Sequence, residues 1–366
     1  MRIAYGIHGF GRGHAMRARA VLPRLCARHE VLILAGGDAY TALSGDFPVV
    51  PIPYLKYHFT SRGKLSNYRS LKRNLPLLLD ARWRGPTSDL VESQIRAFGA
   101  DVILTDSEIY SHWVARHTGI PRITFDHFGL LVYCRPDMPA WERVANWGNA
   151  WVYRFLYGVP NRAVVSAFFD AVPRHPGVQR VGAVIREDVL AMKPTHGDHL
   201  LAYINKGEHE FTPAVEQAFR AQDCPVRMYG VPRSGREGNI EFKPISKQGF
   251  LDDLASCRAV YATCGNQLIG EVIHFGKPML GTPMACHEQR LNAFHIEKMG
   301  FGVRVARDGL TAEILRDFLA RADELAAHAR GHERDGATEA LAAIERFAEE
   351  LSGASSAARA PAAAVT

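Results

Sequence analysis

Short apolar runs alternate with longer amphipathic stretches through the first half of the chain. Runs of strand length, bounded by polar and turn residues, are typical of buried strands. They lie at 2–7, 30–35, 49–52, 101–105, 122–125, 162–169 and 178–184. Amphipathic stretches at 15–28 and 110–118 predict helices between them. Because strands alternate with helices, we expect a parallel sheet.

A second series of the same kind follows a loose segment. Residues 193–198 (KPTHGD) are polar and contain Pro and Gly, which predicts a hinge. The later elements are strands at 199–204, 226–229, 239–242 and 258–263 and helices at 213–222 and 248–256. The predicted fold class is α/β, with two Rossmann-like βα domains that face a central cleft. A ligand would lie in that cleft, at the carboxyl ends of the strands.

These patterns predict how the chain is divided. The predicted units are an acceptor-binding domain at 1–192, a hinge at 193–198, a nucleotide-binding domain at 199–335, a closing helix at 336–351 and a tail at 352–366. The tail, SGASSAARAPAAAVT, is made mostly of small and polar residues. Such composition buries too little apolar surface to fold, so we expect the tail to be disordered.

Composition narrows the class of protein. The chain has 366 residues, of which 47% are hydrophobic, enough for two sizeable cores. No apolar run reaches the ~18 residues of a membrane-spanning helix, and the first residues do not resemble a signal peptide. Six scattered cysteines without C-x-x-C spacing predict free thiols in a reducing cytoplasm. The net charge of +6 is modest, so we expect no nucleic-acid partner.

The most informative stretch is 263–302, TCGNQLIGEVIHFGKPMLGTPMACHEQRLNAFHIEKMGFG. An apolar strand leads into a small-residue turn at 264–266, and a helix follows until Gly-Lys-Pro ends it. The backbone N–H groups at a helix start attract anions, so this turn suits a diphosphate. Glu271, Glu288 and Gln289 add polar groups that suit a hydroxyl-rich ligand.

This string resembles the donor-binding signature of GT-B glycosyltransferases, in which a Gly-containing turn precedes a glutamate, G-[KV]-P, Pro, [DE]-Q and N-A. The matching positions are Gly265, Glu271, Gly276-Lys277-Pro278, Pro283, Glu288-Gln289, Asn292-Ala293 and Gly300. The chain is most similar to bacterial family-1-like transferases, a group related in pattern to the UDP-glycosyltransferases and the lipid II-forming N-acetylglucosaminyltransferase. So many positions at fixed spacing make the resemblance specific.

The resemblance implies that the second domain binds a nucleotide-sugar donor. The nucleotide and diphosphate would contact Thr263, Cys264, Gly265, Asn266, Gln267, Glu271 and, near the base, Ile245. Glu271 would accept the ribose hydroxyls, and Glu288, Gln289 and Asn292 would hold the sugar. A carboxylate suits these tasks because it accepts two hydroxyl hydrogen bonds. The alternatives are a solvated helix glutamate at 271 and a dipole-stabilised acid at 288.

The first domain would supply the acceptor side. Its loop Gly9–His14 (GFGRGH) is not a full dinucleotide fingerprint, which needs glycine at position 14. The resemblance implies instead that His14 is the general base on the acceptor hydroxyl and that Asp106 orients it. The alternative is that both residues only cap helices. The other implied acceptor-loop residues are Gly11, Arg12, Gly13 and the rival pair Asp126 and His127.

Two features of the sequence bear on the reaction. Retaining GT-B enzymes usually carry a second Glu eight residues before the ribose-binding one, and many plant-type enzymes carry a His there. This chain has Thr263, which favours inversion and leaves the backbone N–H groups at 265–267 and the Asn266 side chain for the diphosphate. No D-x-D, the metal-binding pair of GT-A enzymes, occurs in the sequence. We therefore expect no metal site and no obligatory cofactor.

A basic and aromatic region adds a hypothesis about the acceptor. Residues 56–84 hold eight Lys or Arg and a single acid, Asp80, interleaved with aromatic side chains. Such a surface suits an anionic or lipid-linked acceptor and peripheral contact with the inner membrane face. The alternative is a solvated basic loop with core aromatics. A second aromatic cluster at 147–157 is expected to be mostly core, with an edge on which a planar apolar acceptor could rest.

The sequence thus predicts a cytoplasmic, inverting glycosyltransferase that moves a sugar from a UDP-sugar or TDP-sugar to an acceptor hydroxyl of a small molecule or lipid. Two alternatives stay open. A UDP-sugar 2-epimerase-like enzyme on the same architecture would turn over without an acceptor. A non-catalytic nucleotide-sugar-binding protein would bind the donor without transfer.

Overall fold

Two seven-stranded sheets, each flanked by helices, form the molecule. The computed structural model describes residues 1–58, 66–204, 210–244, 246–332 and 334–359. The predicted fold class is confirmed, because both sheets are built mainly of parallel strands. No helix in these ranges combines the length and hydropathy that crossing a membrane requires.

The first sheet has the strand order β3-β2-β1-β4-β5-β7-β9 and is parallel throughout. Its strands are β1 (Arg2–Ile7), β2 (Glu30–Ala35), β3 (Val49–Pro51), β4 (Val102–Asp106), β5 (Arg122–Asp126), β7 (Arg162–Ser166) and β9 (Val178–Val181). Two short strands, β6 (Cys134–Pro136) and β8 (Ala171–Pro173), pair antiparallel beside it. The register pairs Ile7 of β1 with Asp106 of β4, so the loop after β1 begins beside that acid.

Eight helices among the described residues accompany this sheet. They are α1 (Arg12–Arg28), α2 (Gly37–Leu43), α3 (Asn67–Arg82), α4 (Pro86–Phe98), α5 (Ile109–Thr118), α6 (Gly129–Tyr133), α7 (Ala140–Tyr157) and α8 (Glu187–Leu190). The hydrophobic pattern predicted α1 and α5 but not α3, α4 or α7. α3 and α7 leave large apolar side chains exposed on their outer faces, which hides the usual signal of a buried stripe.

The second sheet has the order β12-β13-β11-β10-β14-β15-β16, with only β12 antiparallel. Its strands are β10 (Leu200–Tyr203), β11 (Val226–Tyr229), β12 (Gly235–Glu237), β13 (Ile240–Lys243), β14 (Ala259–Ala262), β15 (Met279–Gly281) and β16 (Gly302–Arg304). Tyr203 pairs with Ala262, and Ala262 pairs with Gly281. The carboxyl ends of the three central strands are therefore level.

The helices of this part are α9 (Pro213–Arg220), α10 (Lys247–Ser256), α11 (Asn266–His274), α12 (His287–Lys298), α13 (Ala312–Ala320) and α14 (Ala322–Ala329). Both α11 and α12 begin close to where the sequence predicts them. Gly270 lets α11 approach the connection between the sheets, because a Cβ there would lie 2.5 Å from that of Ala183.

The last helix, α15 (Gly336–Arg359), returns to the first sheet. Its apolar side, which includes Leu341, Ile344 and Phe347, joins the core beneath β1 and β4. It continues past the predicted closing helix at 336–351 and takes in the first eight residues of the segment expected to be disordered. Residues 360–366 of that segment lie outside the described ranges.

Candidate active site

Three side chains form a buried cluster at the carboxyl end of the first sheet. The Nδ1 of His14 lies 2.8 Å from Asp106 Oδ1. Arg17, one helical turn after His14 on α1, donates to both Asp106 oxygens, at 2.9 Å from Nε and 2.8 Å from Nη2. Asp106 is fully buried, while about a fifth (21%) of the His14 side chain remains exposed. The cluster therefore presents one imidazole edge to the cleft.

The protonation states in this cluster follow from the contacts. Burial alone would raise the pKa of Asp106, but the charges and hydrogen bonds of Arg17 and His14 outweigh it and hold that pKa at about 2. A carboxylate accepts hydrogen bonds, so we assign the His14 proton to Nδ1. Nε2 is then the atom that can receive a proton from a substrate.

The loop between β1 and α1 holds this cluster in place. Gly11 has a φ of 85°, which glycine adopts without strain, and its N–H donates to Asp38. His8 is buried, and its ring centroid lies 4.9 Å from that of His14. Burial and the neighbouring His14 lower the pKa of His8 to about 3, so His8 stays neutral. Its Nε2 has no hydrogen-bond partner among the described residues.

The side chains of the rival pair, Asp126 and His127, are occupied by hydrogen bonds within the protein. Asp126 accepts from the Gly129 N–H, the first of α6, at 2.6 Å, and from the Tyr153 hydroxyl at 2.5 Å. The Nδ1 of His127 lies 2.6 Å from the Ser166 carbonyl, and its Nε2 lies 3.3 Å from Asn292 Oδ1. Both ring nitrogens of His127 thus face protein acceptors, unlike those of His14.

Across the cleft, the start of α11 lies at the level ends of β10, β14 and β15. Gly265 is the N-cap of α11, and no side chain caps the helix. Asn266 is 5% exposed, and its Oδ1 has no partner in the described part of the chain. The uncapped N–H groups can donate to a ligand anion, and Asn266 Oδ1 can accept a hydrogen bond from a ligand hydroxyl or N–H group.

A small open pocket lies beside that helix start. It is lined by Tyr203, Ile204, Glu210, Tyr261, Thr263, Thr282, Pro283 and Met284. Burial raises the pKa of the Tyr203 phenol, and the nearby charge of Arg12 opposes the change. The start of α1, which carries Arg12, is therefore close to this pocket across the cleft.

Glu271 is engaged by an arginine that sequence analysis did not single out. Its Oε1 accepts from Arg186 Nη2 at 3.0 Å, and the carboxylate is almost fully buried. Burial raises the pKa of Glu271 despite the charge of Arg186. Gln267 donates to the Val184 carbonyl at 2.8 Å, so α11 is fastened to the connection between the sheets at two points.

The three residues expected to hold the sugar are brought to the start of α12. Glu288 Oε1 lies 3.7 Å from His127 Nε2, and Asn292 Nδ2 donates to the Cys264 carbonyl at 2.9 Å. Gln289 accepts from the Met284 N–H at 2.9 Å, which fixes the loop before α12. Glu288 is therefore the most available of the three. Ile245, expected near the base, lies outside the described residues.

A set of polar contacts joins α7 to α12 across the cleft. Glu142 accepts from His287 Nδ1 at 2.8 Å and from Arg290 Nε at 2.7 Å. The hydrogen bond from Arg290 is the main reason that the pKa of Glu142 is lowered, although burial opposes it. Lone acids and arginines carry no sequence signal for such pairing, so these residues could be found only in the structure. Within the described residues, no group of three or more His, Cys, Asp or Glu is arranged to hold a metal ion.

The chain matches a known family over most of its length. The model described as "Glycosyl transferase family 1" covers residues 1–323, and no curated protein sequence matches. Similar solved structures include MurG of Acinetobacter baumannii, at 14% identity and a TM-score of 0.60, covering 94% of this chain and 99% of that one.

Two further similar structures are the calicheamicin glycosyltransferase CalG4 and a UDP-glucosyltransferase from Polygonum tinctorium. CalG4 has 16% identity and a TM-score of 0.66 and covers 99% of this chain and 100% of that one. The Polygonum enzyme has 13% identity and a TM-score of 0.67, with coverage of 96% and 98%. At such identities the likeness establishes the fold, and the family model establishes the membership. The chain belongs to glycosyl transferase family 1 and is a glycosyltransferase of the GT-B fold.

Proposed function

We propose that this enzyme transfers a sugar from a UDP-sugar or TDP-sugar to an acceptor hydroxyl, with inversion and with His14 as the general base. The observation that carries the proposal is the 2.8 Å contact between His14 Nδ1 and the buried Asp106 carboxylate at the edge of the cleft. An imidazole oriented in this way can take a proton at Nε2.

The reaction would be a single displacement. His14 Nε2 removes the acceptor proton as the acceptor oxygen attacks the anomeric carbon, and the bond from that carbon to the diphosphate breaks. Asp106 stabilises the imidazolium that forms. One displacement inverts the anomeric centre, which agrees with Thr263 standing where retaining enzymes carry a second acid.

The donor would lie against the second sheet. The uncapped start of α11, the amide of Asn266 and the backbone at 263–265 would receive the diphosphate. To contact the ribose, Glu271 would give up part of its contact with Arg186. Glu288, Gln289 and Asn292 would face the sugar. Two similar structures support this donor class, since one is described in complex with dTDP and another with UDP-2fluoro-glucose. No metal or other cofactor is required in this proposal, because helix dipoles and nearby cations would balance the diphosphate charge.

The acceptor would enter from the first domain, past Gly11, Arg12 and Gly13. The acceptor would be a small molecule or a lipid. The basic segment at 56–84 would favour an anionic or lipid-linked acceptor at the inner face of a cytoplasmic membrane. Residues 59–65 of that segment lie outside the described ranges.

The first test is a thermal-shift panel of UDP, TDP, GDP, ADP, CMP and NAD. A ligand at a hundred times its Kd adds ~2.7 kcal/mol to the free energy of unfolding, which is measurable. We expect UDP or TDP to stabilise the protein and Glu271→Ala to lose most of that response. Stabilisation by NAD alone would contradict the donor assignment.

The second test concerns the base. His14→Ala should keep the UDP or TDP response but lose ~10²–10⁴ in kcat. His196→Ala, on an exposed part of the linker, is the matched control and should keep full activity. Near-normal turnover of His14→Ala would reject His14 as base and direct attention to His127. Conversion of a UDP-sugar without any acceptor would favour an epimerase.

A further inference from the structure

The outer face of α7 is unusually aromatic for a protein surface. Its exposed residues are Trp141, Val144, Trp147, Trp151, Val152 and Phe155, which we call the α7 face. Trp147 is 73% exposed and Trp151 is 60% exposed, and the rings of Trp151 and Phe155 stack at 5.7 Å. Only Tyr153 and Tyr157 of the aromatic cluster expected to be core are buried. The expectation was therefore wrong for the other three aromatic residues.

The exposed side of α3 continues this surface. It carries Tyr68, Leu71, Leu75 and Leu79, and Trp83 follows the helix end. Arg82 joins the two helices, because its guanidinium lies 5.6 Å from the Trp83 ring and 5.7 Å from the Phe155 ring. Contiguous apolar surface of this kind usually marks an interaction site.

The exposed charges carried by α3 and α7 themselves all have one sign. The one acid of α7, Glu142, points inward to Arg290, and the one acid of α3, Asp80, accepts from the Thr87 and Ser88 N–H groups that begin α4. The exposed charged residues that remain on the two helices are cations: Arg69, Lys72, Arg73, Arg82, Arg143 and Arg154.

We propose that the α7 face and the exposed side of α3 dock onto an anionic lipid bilayer. Tryptophan and arginine are the side chains that favour the lipid interface, where an aromatic ring is half desolvated and a cation meets lipid phosphates. A helix with apolar and aromatic residues on one face and basic residues at its borders lies in the plane of the interface. The charge argues against a second copy of this chain, because two such surfaces would repel each other.

Docking would also orient the active cleft. The inward side of α7 holds α12 through Glu142, so a helix that lies on the membrane would be the same helix that closes the sugar end of the cleft. This inference does not depend on the donor or on His14, since it rests only on the exposed surface.

The test is flotation of the full chain with vesicles of phosphatidylglycerol and phosphatidylcholine, compared with phosphatidylcholine alone. All five tryptophans of the chain lie at 83, 113, 141, 147 and 151, so the blue shift of tryptophan emission reports the same event. We expect binding and a blue shift with the anionic vesicles and little of either with neutral ones. Equal binding to both kinds, or binding to neither, would overturn the proposal.

Two variants locate the surface. Trp147→Ser with Trp151→Ser should lower the partition coefficient by at least about tenfold, the usual effect of removing large buried apolar groups. Arg143→Gln with Arg154→Gln should lower it by about 25-fold on anionic vesicles only, since each basic residue near such a surface contributes about fivefold. The matched control is Val172→Ser, because Val172 is an equally exposed apolar residue on β8.

The melting temperature of each variant shows that it is folded, so a loss of flotation is not confused with unfolding. Size-exclusion chromatography with light scattering completes the test. A stable dimer that the tryptophan variant dissociates would assign the surface to a second copy and reject the bilayer. Unchanged flotation of both variants would also reject the assignment to α7.

Discussion

The two sides of the cleft differ in how many of their buried polar groups already have hydrogen-bond partners. On the first sheet, both oxygens of Asp106 have partners in His14 and Arg17, and these contacts fix the ring. On the second sheet, the start of α11 has no side-chain cap, and Asn266 Oδ1 has no partner within the described residues. Because unpaired buried groups are costly, the second side gains most from a ligand. Under the proposed roles, the acid–base side is preorganised and the donor side becomes complete only when the donor binds.

The largest expected effect comes from breaking the preorganised side. Asp106→Ala leaves Arg17 buried without its carboxylate and should lower the free energy of unfolding by about 3–5 kcal/mol. It also removes the group that orients His14, so kcat should fall by ~10²–10⁴. Urea titration and a transfer assay measure the two effects. Asp46→Ala, which removes an exposed partner of Arg19, should change stability by less than about 1 kcal/mol.

A smaller change tests whether Arg17 positions the base. Arg17→Lys keeps a positive charge but cannot make the two parallel hydrogen bonds to Asp106. We expect kcat to fall by up to about 10²-fold, the cost of a misplaced catalytic group, while KM for the donor stays constant. An equal rise in KM for the donor would mean that Arg17 serves donor binding, contrary to this comparison.

The donor side is expected to respond in affinity more than in stability. Glu271→Gln weakens a charged hydrogen-bonding group, and such bonds contribute about 1.5–3 kcal/mol. The Kd for UDP, measured by calorimetry, should rise by roughly 10-fold to 100-fold, with kcat at saturating donor little changed. Arg186→Met is the companion variant. If Arg186→Met weakens UDP binding as much as Glu271→Gln does, the ion pair itself forms the site.

The smallest effect is a pH dependence of stability. The folded pKa of Asp106, about 2, lies below the ordinary value of 3.8. The contribution of Asp106 is therefore complete above pH ~4 and is lost as the pH falls towards ~2, because the unfolded chain binds the proton first. Asp106→Asn should flatten the acid limb of a stability curve measured between pH 5 and pH 2. An unchanged acid limb would show that the carboxylate is not held in its charged form.

The sequence was sufficient for the fold class and for locating the loops and helix starts that carry the candidate site residues, because both depend on local signals. Short local patterns determine the elements that carry the candidate residues. They include the turn at 264–266, the helix that follows it and the glycine-rich loop before α1. Arg17 and Arg186 were missed because their partners lie 89 and 85 residues away. The outward aromatic face of α7 was misassigned because helical spacing alone does not distinguish a core face from an exposed aromatic face.

The return of α15 to the first sheet changes how the two halves can move. The chain passes from one half to the other twice, once before β10 and once before α15, and α15 then fills an apolar groove against Val21, Leu104 and Phe125. Because two chain segments join the halves, we expect their relative motion to be more restricted than a single linker would allow. A fragment that ends at residue 192 would expose that groove and should aggregate, whereas fusing 334–359 to such a fragment should restore a soluble domain.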